Sequence, residues 1–416
     1  MGMLFNLKHD MKFKHEIKKD DYLKLRPTSS SADNKNLSGE ILFQVAQASS
    51  CLDICDSLLF FTIEIKHLEV DEDVTLEHNF FPKLFSQMRL NLGGMDIEII
   101  NSPGDISSLL NFVLLNQNVR ETYGESMGWI PDDKKGDVTN NGFKIRKELY
   151  NEKKVFTGYF PLNQLFGFLQ CYNRIIYLLS VDLSITRNAN NDKEIFFGKE
   201  KTAGTASKVI LVLQDVELWI PQYKLNPELE VDVMNQMKSI ENIDVSYLKR
   251  IPNVLDIPEG SNFSWTPSNL SSRPRFLILG FKSSEIKYTE NNSKFIQEKD
   301  GKRLTSLQIE LKNVFYPIIP MKFDITKNDN VLPYKYYISM CKVFGNDPQL
   351  NLRDFMNLYS IFCFDFTAQD DEVTNGYQVT IHIQKDTTFK AKCYCVILEE
   401  KKSTILIQSG KMANTI

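Results

Sequence analysis

Hydrophobic and polar residues alternate along several stretches of the chain. The clearest stretch is 179–186, where Leu, Val, Leu and Ile occupy every second position and Ser, Asp, Ser and Thr lie between them. The same spacing of apolar residues recurs at 41–45 and 61–65. Period two is typical of a strand with one buried and one wetter face. The dipeptide Gly93-Gly94 lies between two apolar stretches and predicts a hairpin, because glycine tolerates positive φ.

A few stretches have apolar residues three and four positions apart, which is typical of a helix with one apolar face. The stretch 162–169 follows a predicted strand at 153–160 and predicts a short helix across the open end of a sandwich. A second helix is predicted after Pro103, with Asp105 as its cap. Residues 226–240 predict a third helix, which bridges two domains.

The segments between these elements are rich in Gly, Pro and polar residues. Residues 121–151 have few apolar positions and predict a long surface loop. A long strand is predicted at 208–220, with Pro221 as its end. Because residues 245–262 contain Pro252 and further turn formers, they predict an irregular crossing between domains.

A second set of strands is predicted in the remainder of the chain. The candidates are 275–281, 306–314, 359–366, 377–384, 391–398 and 404–407, and 334–343 is expected to be helical. Strands dominate and helices are short, so two packed β-sandwiches fit better than a βαβ arrangement. The predicted fold class is all-β, with two consecutive sandwiches and short helical insertions.

A length of 416 residues suits two domains better than one. With 42% hydrophobic and 25% charged residues, the composition is that of an ordinary globular protein. We predict an N-terminal arm at 1–39, a first sandwich at 40–222, a linking helix and crossover at 223–262, and a second sandwich with a C-terminal tail at 263–416.

The formal net charge is -4, which excludes bulk electrostatic trapping of nucleic acid. The N-terminal stretch is the exception, because basic residues crowd there. They are Lys8, Lys12, Lys14, Lys18, Lys19, Lys24 and Arg26. Four acidic residues dilute this charge, so a solvated arm that orders on assembly is favoured over a genome-facing tail.

The seven cysteines form no regular framework, which indicates a reducing compartment. We expect no secretory signal peptide and no membrane span, because neither a leader-like apolar run nor 18 consecutive apolar residues occurs. Gly2 is placed as in a myristoylation signal, but Asn6 stands where Ser or Thr is required.

Histidines offer few candidate metal ligands. His67 and Glu69 form a His-x-Glu pair that would suit a cupin-like metal site, but no partner histidine is evident. His78 lies close to them in the chain, and His382 alternates outward from an apolar strand face. We expect surface histidines at these positions.

Cysteine and acidic residues are further candidate metal ligands. Cys393 and Cys395 share a strand face and Cys51 and Cys55 lie one turn apart, yet neither pair has the Cys-x-x-Cys spacing of structural zinc. We expect buried apolar side chains there. The acidic runs 71–73 and 370–372 are expected to be solvated hairpin tips. No phosphate-binding or nucleophile motif occurs, so the sequence assigns no catalytic, cofactor-binding or metal-binding residue and predicts a protein that is not an enzyme.

Three segments carry a resemblance to a known family. They are FPLNQLFGFLQCYNRIIYLLSVDLSITRNANND at 160–192, VELWIPQYKL at 216–225 and RPRFLILGF at 273–281. In this order and spacing they resemble the double jelly-roll major capsid proteins of Polinton/Maverick elements, adintoviruses and their virophage relatives. The resemblance covers most of the chain loosely, and it implies two consecutive jelly rolls.

The resemblance also implies a function. Three copies would form a homotrimer that acts as a pseudo-hexameric capsomer, and many capsomers would build an icosahedral virion shell together with penton or minor capsid proteins. The chain would be made in the host cytoplasm or nucleus, without specific nucleic acid binding. Residues 121–151 and 262–303 are then expected at trimer or outward surfaces, and the arm and 412–416 inside the shell.

Three other classes remain open on the sequence. A minor capsid or penton protein would typically have one jelly roll, so the number of sandwiches distinguishes it from a major capsid protein with two. A carbohydrate-binding β-sandwich would be expected to carry a signal peptide and paired cysteines. An oxygenase of cupin type would bind a metal ion.

Overall fold

The structure, a computed structural model, describes residues 17–28, 39–46, 51–66, 74–134, 140–150, 154–177, 179–188, 195–198, 209–239, 242–284, 293–327, 329–368, 376–406 and 409–414. The strands are β1 (Ile17–Leu25), β2 (Glu40–Val45), β3 (Cys51–Leu52), β4 (Leu58–Lys66), β5 (Val74–Leu76), β6 (Phe85–Leu92), β7 (Met95–Asn101), β8 (Val155–Pro161), β9 (Val181–Arg187), β10 (Phe196–Gly198), β11 (Ile210–Leu225), β12 (Asn242–Asp256), β13 (Asn262–Trp265), β14 (Asn269–Leu270), β15 (Pro274–Ser283), β16 (Glu298–Lys299), β17 (Lys302–Leu311), β18 (Val314–Lys322), β19 (Ile361–Asp365), β20 (Tyr377–Lys385), β21 (Ala391–Leu406) and β22 (Lys411–Asn414). The α-helices are α1 (Phe80–Lys83), α2 (Pro103–Leu114), α3 (Gln117–Tyr123), α4 (Asn141–Glu148), α5 (Gly167–Cys171), α6 (Pro227–Ser239), α7 (Val331–Val343) and α8 (Leu352–Asn357).

Two antiparallel sheets form the first sandwich. One has the strand order β1-β11-β4-β8 with β3 on the end of β11, and the other has the order β2-β9-β6-β7. The register places Phe43 and Leu90 on either side of Leu183, so that apolar side chains line up on one face. All three are buried, and the alternation in the sequence thus predicts the core face of this sheet correctly.

The second sandwich repeats this arrangement. One sheet has the order β12-β21-β15-β19 with β22 on β21, and the other has the order β13-β20-β17-β16 with β18 on β17. The prediction of two consecutive β-sandwiches with short helical insertions is therefore confirmed. The helix expected at 334–343 is α7, and the bridging helix expected at 226–240 is α6.

The sheet β12-β21-β15-β19, which we call the middle sheet, is buried on both faces. Along 393–398 the odd-numbered side chains belong to the core of the second sandwich, and the even-numbered ones belong to a cluster that continues into the first sandwich. Helix α2 of the first half packs on β15 and β21 of this sheet, and α7 packs on β19. Burial on both faces accounts for the near-continuous apolar run in 276–281, which an alternating strand would not need.

Two prolines do not end structure where the sequence predicted. Residues 245–262 were expected to be irregular, but Pro252 lies within the 15-residue strand β12. This strand is at the edge of the middle sheet and, among the described strands, pairs only with β21, so a missing N–H is tolerated. Likewise β11 continues through Pro221 to Leu225. Its ladder to β4 ends at Trp219, and Pro221 takes part through its carbonyl, which accepts a hydrogen bond from the N–H of Asp53 at 2.9 Å.

The segment 121–151, expected to be a long surface loop, is largely structured in its described part. It contains the end of α3 and all of α4, and it buries Trp129, Phe143 and Arg146. Short polar helices give little periodicity, which is why composition indicated a loop. In addition, Gly142 lies against the Pro131 carbonyl, so this glycine permits close packing rather than flexibility.

Several shorter predictions also need correction. Within the arm predicted at 1–39, residues 17–25 form β1, which pairs with β11, and residues 1–16 lie outside the described residues. The helix at 162–169 is divided into a 3₁₀ turn at Leu162–Gln164 and α5. The strand expected at 306–314 spans a hairpin turn between β17 and β18. The strands expected at 391–398 and 404–407 are parts of one strand, β21, as far as Leu406, and residue 407 lies outside the described residues.

Helix α2 begins without the cap that the sequence predicted. Its N-cap residue is Ser102, and no side chain caps it. Asp105 forms a salt bridge with Lys282 of β15 instead. The predicted capping residue thus joins the two halves of the chain.

Candidate functional site

The two sandwiches meet at a buried junction that surrounds His78. The His78 ring lies 4.2 Å from the Trp129 ring and 5.7 Å from the Phe112 ring, measured between centroids. Tyr359, which precedes β19 in the second sandwich, contributes a third ring at 6.0 Å. The imidazole is fully buried, so the prediction of a surface histidine is wrong at this position. Aromatic residues distant in sequence enclose it, and no local pattern around His78 indicates them.

The charges around His78 are cationic. Burial lowers the pKa of His78 well below its usual range, and Arg146, Lys83 and Lys282 lower that pKa further. The carbonyl of Ile130 acts in the opposite direction without offsetting them. At neutral pH the imidazole is therefore uncharged, and it packs among the three aromatic rings.

Arg146 organises the first-sandwich side of this junction. Its guanidinium donates through Nε to the Leu76 carbonyl at 2.8 Å, through Nη1 to the Ile130 carbonyl at 2.5 Å and through Nη2 to Asp132 Oδ1 at 2.7 Å. Both members of the Arg146–Asp132 pair are fully buried. Burial raises the pKa of Asp132, while Arg146 holds that pKa down. Through these three bonds the planar guanidinium of Arg146 holds β5, α4 and residues 130–132 together.

Polar contacts continue across the boundary beside this arginine. Lys83 Nζ donates to Ser293 Oγ at 2.7 Å, and Ser293 Oγ donates to Glu77 Oε2 at 2.8 Å. Tyr337 of α7 donates its hydroxyl to the Phe112 carbonyl at 2.9 Å. These buried bonds join residues more than 200 positions apart, so the two sandwiches are held in one arrangement.

A second junction lies at the edge strand β7. Glu98 of β7 accepts hydrogen bonds from the backbone N–H of Arg250 in β12 at 2.7 Å and of Phe168 in α5 at 2.9 Å. Burial raises the pKa of Glu98, although Arg250 and the backbone donors favour its charged form. The side chain of Arg250 is buried as well and donates to Gln170 Oε1 at 2.6 Å. Here an edge strand of the first sandwich is covered by an edge strand of the second.

The outer edge strand of the second sandwich, β18, has no such cover among the described residues. Four large apolar residues of β18 are exposed: Val314 by 50%, Phe315 by 40%, Ile318 by 85% and Ile319 by 75%. We call these four residues the β18 ridge. Gln308 Nε2 donates to the carbonyls of Pro317 and Ile318, at 3.0 Å each, and so holds the ridge in one conformation. Preorganised apolar side chains of this size are typical of a contact surface.

The remaining candidates for chemistry are dispersed. His67, Glu69 and the acidic runs 71–73 and 370–372 lie outside the described residues. His382 is partly exposed, as predicted, and is fixed by Ser264 Oγ and Glu310 Oε2, each 2.9 Å from a ring nitrogen. Both candidate cysteine pairs are buried and not disulfide-bonded.

One cluster was missed by the sequence reasoning. Among the described residues, one carboxylate oxygen each of Asp53 and Asp56 and the Cys55 thiol lie within 4.8 Å of one another, which would permit cation binding. The Cys55 thiol donates to Asp53 Oδ1 at 2.9 Å, so the cluster is already linked internally. The Asp-Ile-Cys-Asp spacing is the only signal in the sequence. None of the described helices is long and apolar enough to cross a membrane.

Comparison with known proteins gives a consistent result for the fold. The family model of the double jelly roll-like domain matches residues 74–402. A structure of the Sputnik virophage by cryo-EM superposes with a TM-score of 0.67 at 13% identity, covering 97% of this chain and 89% of that one. No curated protein matches the sequence.

Two further solved structures have the same fold. The capsid of the virus PBCV-1 superposes with a TM-score of 0.58 at 11% identity, covering 96% of both chains. The mavirus major capsid protein superposes with a TM-score of 0.51 at 10% identity, covering 97% of this chain and 92% of that one. Identities this low show likeness of fold, which here extends over nearly the full length of both partners.

Proposed function

Because the chain belongs to the double jelly roll-like domain family, we propose that it is a structural major capsid protein that trimerises into pseudo-hexameric capsomers and builds an icosahedral virion shell. The observation that carries this proposal is the end-to-end likeness to a structure of the Sputnik virophage, at a TM-score of 0.67, and to structures named as viral capsids or major capsid proteins, at TM-scores of 0.51 to 0.58. The buried junctions at His78 and Glu98 support it, since they make a rigid two-sandwich block.

Its partners follow from that role. The chain binds further copies of itself within a capsomer, and capsomers bind one another and penton or minor capsid proteins. An obligate assembly of this kind buries roughly 2,000 Å² or more per interface and exposes large apolar side chains when a subunit is alone. The β18 ridge is such a surface. We assign no catalytic activity, no cofactor and no specific nucleic acid binding, and we place the protein in the virion capsid after synthesis in the host cytoplasm or nucleus.

The structure changes how we divide the chain. Since β1 pairs with β11, we propose that the first jelly roll begins at Ile17 and ends with β11 at Leu225. Since β12 pairs with β21, we propose that the second begins at Asn242. Helix α6 remains the connection between them. Two sandwiches in one chain disfavour the minor capsid or penton alternative, for which one would be typical.

The experiment that tests the function is the mass of the purified chain in solution, by light scattering, with negative-stain images of the same sample. We expect a particle near three times 48.1 kDa with a hexagonal outline. A monomer throughout a concentration series would overturn the proposal. Metal analysis and glycan-binding assays on that monomer would then test the cupin and carbohydrate-binding classes.

A further inference from the structure

The two sandwiches are built on one strand plan, so each strand of one has an equivalent in the other. In the strand orders β1-β11-β4-β8 and β12-β21-β15-β19, β1 takes the place of β12. In the facing sheets, the hairpin of β6 and β7 takes the place of that of β17 and β18. Both hairpins turn through two residues with positive φ: Gly93 at 56° and Gly94 at 81°, and Lys312 at 51° and Asn313 at 62°. Strand β18 is therefore the equivalent of β7.

Within one chain, β7 is covered by β12. The two strands pack against each other, and the hydrogen bond from Arg250 N–H to Glu98 joins them. As a result Ile97, Glu98 and Ile100 of β7 are each exposed by 1% or less. An edge strand of the first sandwich thus meets the first strand of the second sandwich.

The equivalent edge, β18, lacks this cover. Ile318 and Ile319 are exposed by 85% and 75%, and they lie between Tyr316 and Met321, which pair with β17. Ile99 and Ile100, as many residues from the hairpin turn in β7, are exposed by 40% and 0%. Within the described residues, β18 packs on β17, α7 and β19 of its own chain and not on β1. The strand that would cover it by equivalence is β1, which is at the edge of its own sheet within the part of the chain that the structure describes.

We propose that the β18 ridge of one copy packs against β1 of a second copy, repeating between chains the contact that β7 makes with β12 within a chain. This inference rests on the proposed function and names the surface through which the trimer forms. The contact is head-to-tail, so each copy gives one ridge and receives one, and the ring closes when the rotation allows it. Three copies would then contain six equivalent junctions, three within chains and three between them.

The chemistry of β18 sets how this contact is made. Pro317 and Pro320 have no N–H and break the row of donors that a continuous added strand would require. A partner therefore binds through side chains, as β12 does on β7, rather than by extending the sheet. The side chains of Ile318 and Ile319 are the apolar anchors that such a contact buries.

The first test removes the ridge. The double variant Ile318→Asp, Ile319→Asp should require at least about tenfold more protein for half-assembly than the natural chain, measured by light scattering over a dilution series. The matched control is Ile210→Asp, at an isoleucine of β11 that is 43% exposed, and this variant should assemble normally. Unchanged circular dichroism of the double variant shows that its fold is kept.

The second test locates the contact directly. Copies labelled with light and heavy nitrogen are mixed into one assembly and treated with a lysine-reactive cross-linker. We expect peptides that join Lys322 of one isotope to Lys24 of the other. The opposite result is a double variant that still forms a trimer, with cross-links between copies elsewhere and none between β18 and β1. That result would contradict the proposed contact of the β18 ridge without contradicting the capsid function. A natural chain that stays monomeric overturns both.

Discussion

The hydroxyl oxygen of Tyr359 accepts a hydrogen bond from the backbone N–H of Asp132 at 2.9 Å, which joins the second sandwich to the first. The ring of Tyr359 also lies 4.5 Å from that of Phe112, measured between centroids. The tyrosine is fully buried, so water cannot replace the bond when it is lost. The junction therefore depends on individual polar contacts as well as on apolar packing.

Replacing Tyr359 by Phe should lower the free energy of unfolding by about 1–3 kcal/mol, because the N–H of Asp132 would be buried without this acceptor. Urea unfolding at fixed protein concentration measures the change. Tyr123→Phe is the matched control, since Tyr123 is 52% exposed, and it should have little effect. Equal effects of the two substitutions would contradict a role for the hydrogen bond.

His78 predicts a specific pH dependence. Its pKa in the folded state lies well below the value of 6.5 that applies when the chain is unfolded. The unfolded state therefore takes up a proton below about pH 6.5 that the folded state does not. Stability should fall as the pH drops below that value, by up to about 1.4 kcal/mol per pH unit until the folded pKa is reached.

The measurement is the free energy of unfolding of the natural chain and of His78→Phe between pH 7.5 and 5. The natural chain should lose more stability than the variant over this range. If the unfolding free energies of the natural chain and of His78→Phe change equally with pH, His78 does not contribute to the pH dependence of stability.

Arg146→Met should destabilise the protein by about 3–5 kcal/mol, because it leaves the carboxylate of Asp132 buried without its partner. Arg146→Lys should recover only part of this, since an ammonium cannot reproduce the three-bond fork. The midpoint temperatures of thermal unfolding rank the variants by stability. Lys144→Ala, at an exposed residue of the same helix, should be near neutral. An Arg146→Lys variant as stable as the natural chain would show that a positive charge beside Asp132 is sufficient without the three hydrogen bonds of the guanidinium.

Gly167→Ala should weaken the contact between α5 and β12. A Cβ atom at this position would lie 1.9 Å from the carbonyl oxygen of Leu248, which belongs to the backbone of β12 and cannot rotate away. We expect a loss of about 1–3 kcal/mol in unfolding free energy, measured by urea titration. Cys171→Ser, at an exposed residue of the same helix, is the control. An unchanged unfolding free energy in Gly167→Ala would mean that β12 can move away from the added methyl group without loss of stability.

The strand positions were largely predictable from the sequence, because period-two alternation records directly which face is buried. The face of β9 and the hairpin at Gly93-Gly94 are examples. Errors arose where tertiary position overrides a local signal. Pro252 is accepted because β12 is an edge strand, and the polar segment around Arg146 is ordered by partners at Leu76, Ile130 and Asp132.

The junction and the ridge were not predictable in the same way. The neighbours of His78 come from three separate segments, and only the folded chain brings them together. The sequence predicted a strand at 306–314 and none at 315–322, so most of β18 was missed. The exposure of its apolar residues becomes evident only when β18 is compared with its covered equivalent, β7.

The middle sheet has a consequence for how the protein is made. Its even-numbered side chains in 393–398 belong to the cluster that continues into the first sandwich, so the ribosome synthesises almost all of the chain before these contacts can form. The side of the first sandwich that faces the middle sheet therefore stays uncovered until the last strands emerge. The subunit can therefore complete its fold only after its C-terminal end has been synthesised. A prematurely terminated copy would leave this apolar side exposed and would not assemble into a shell.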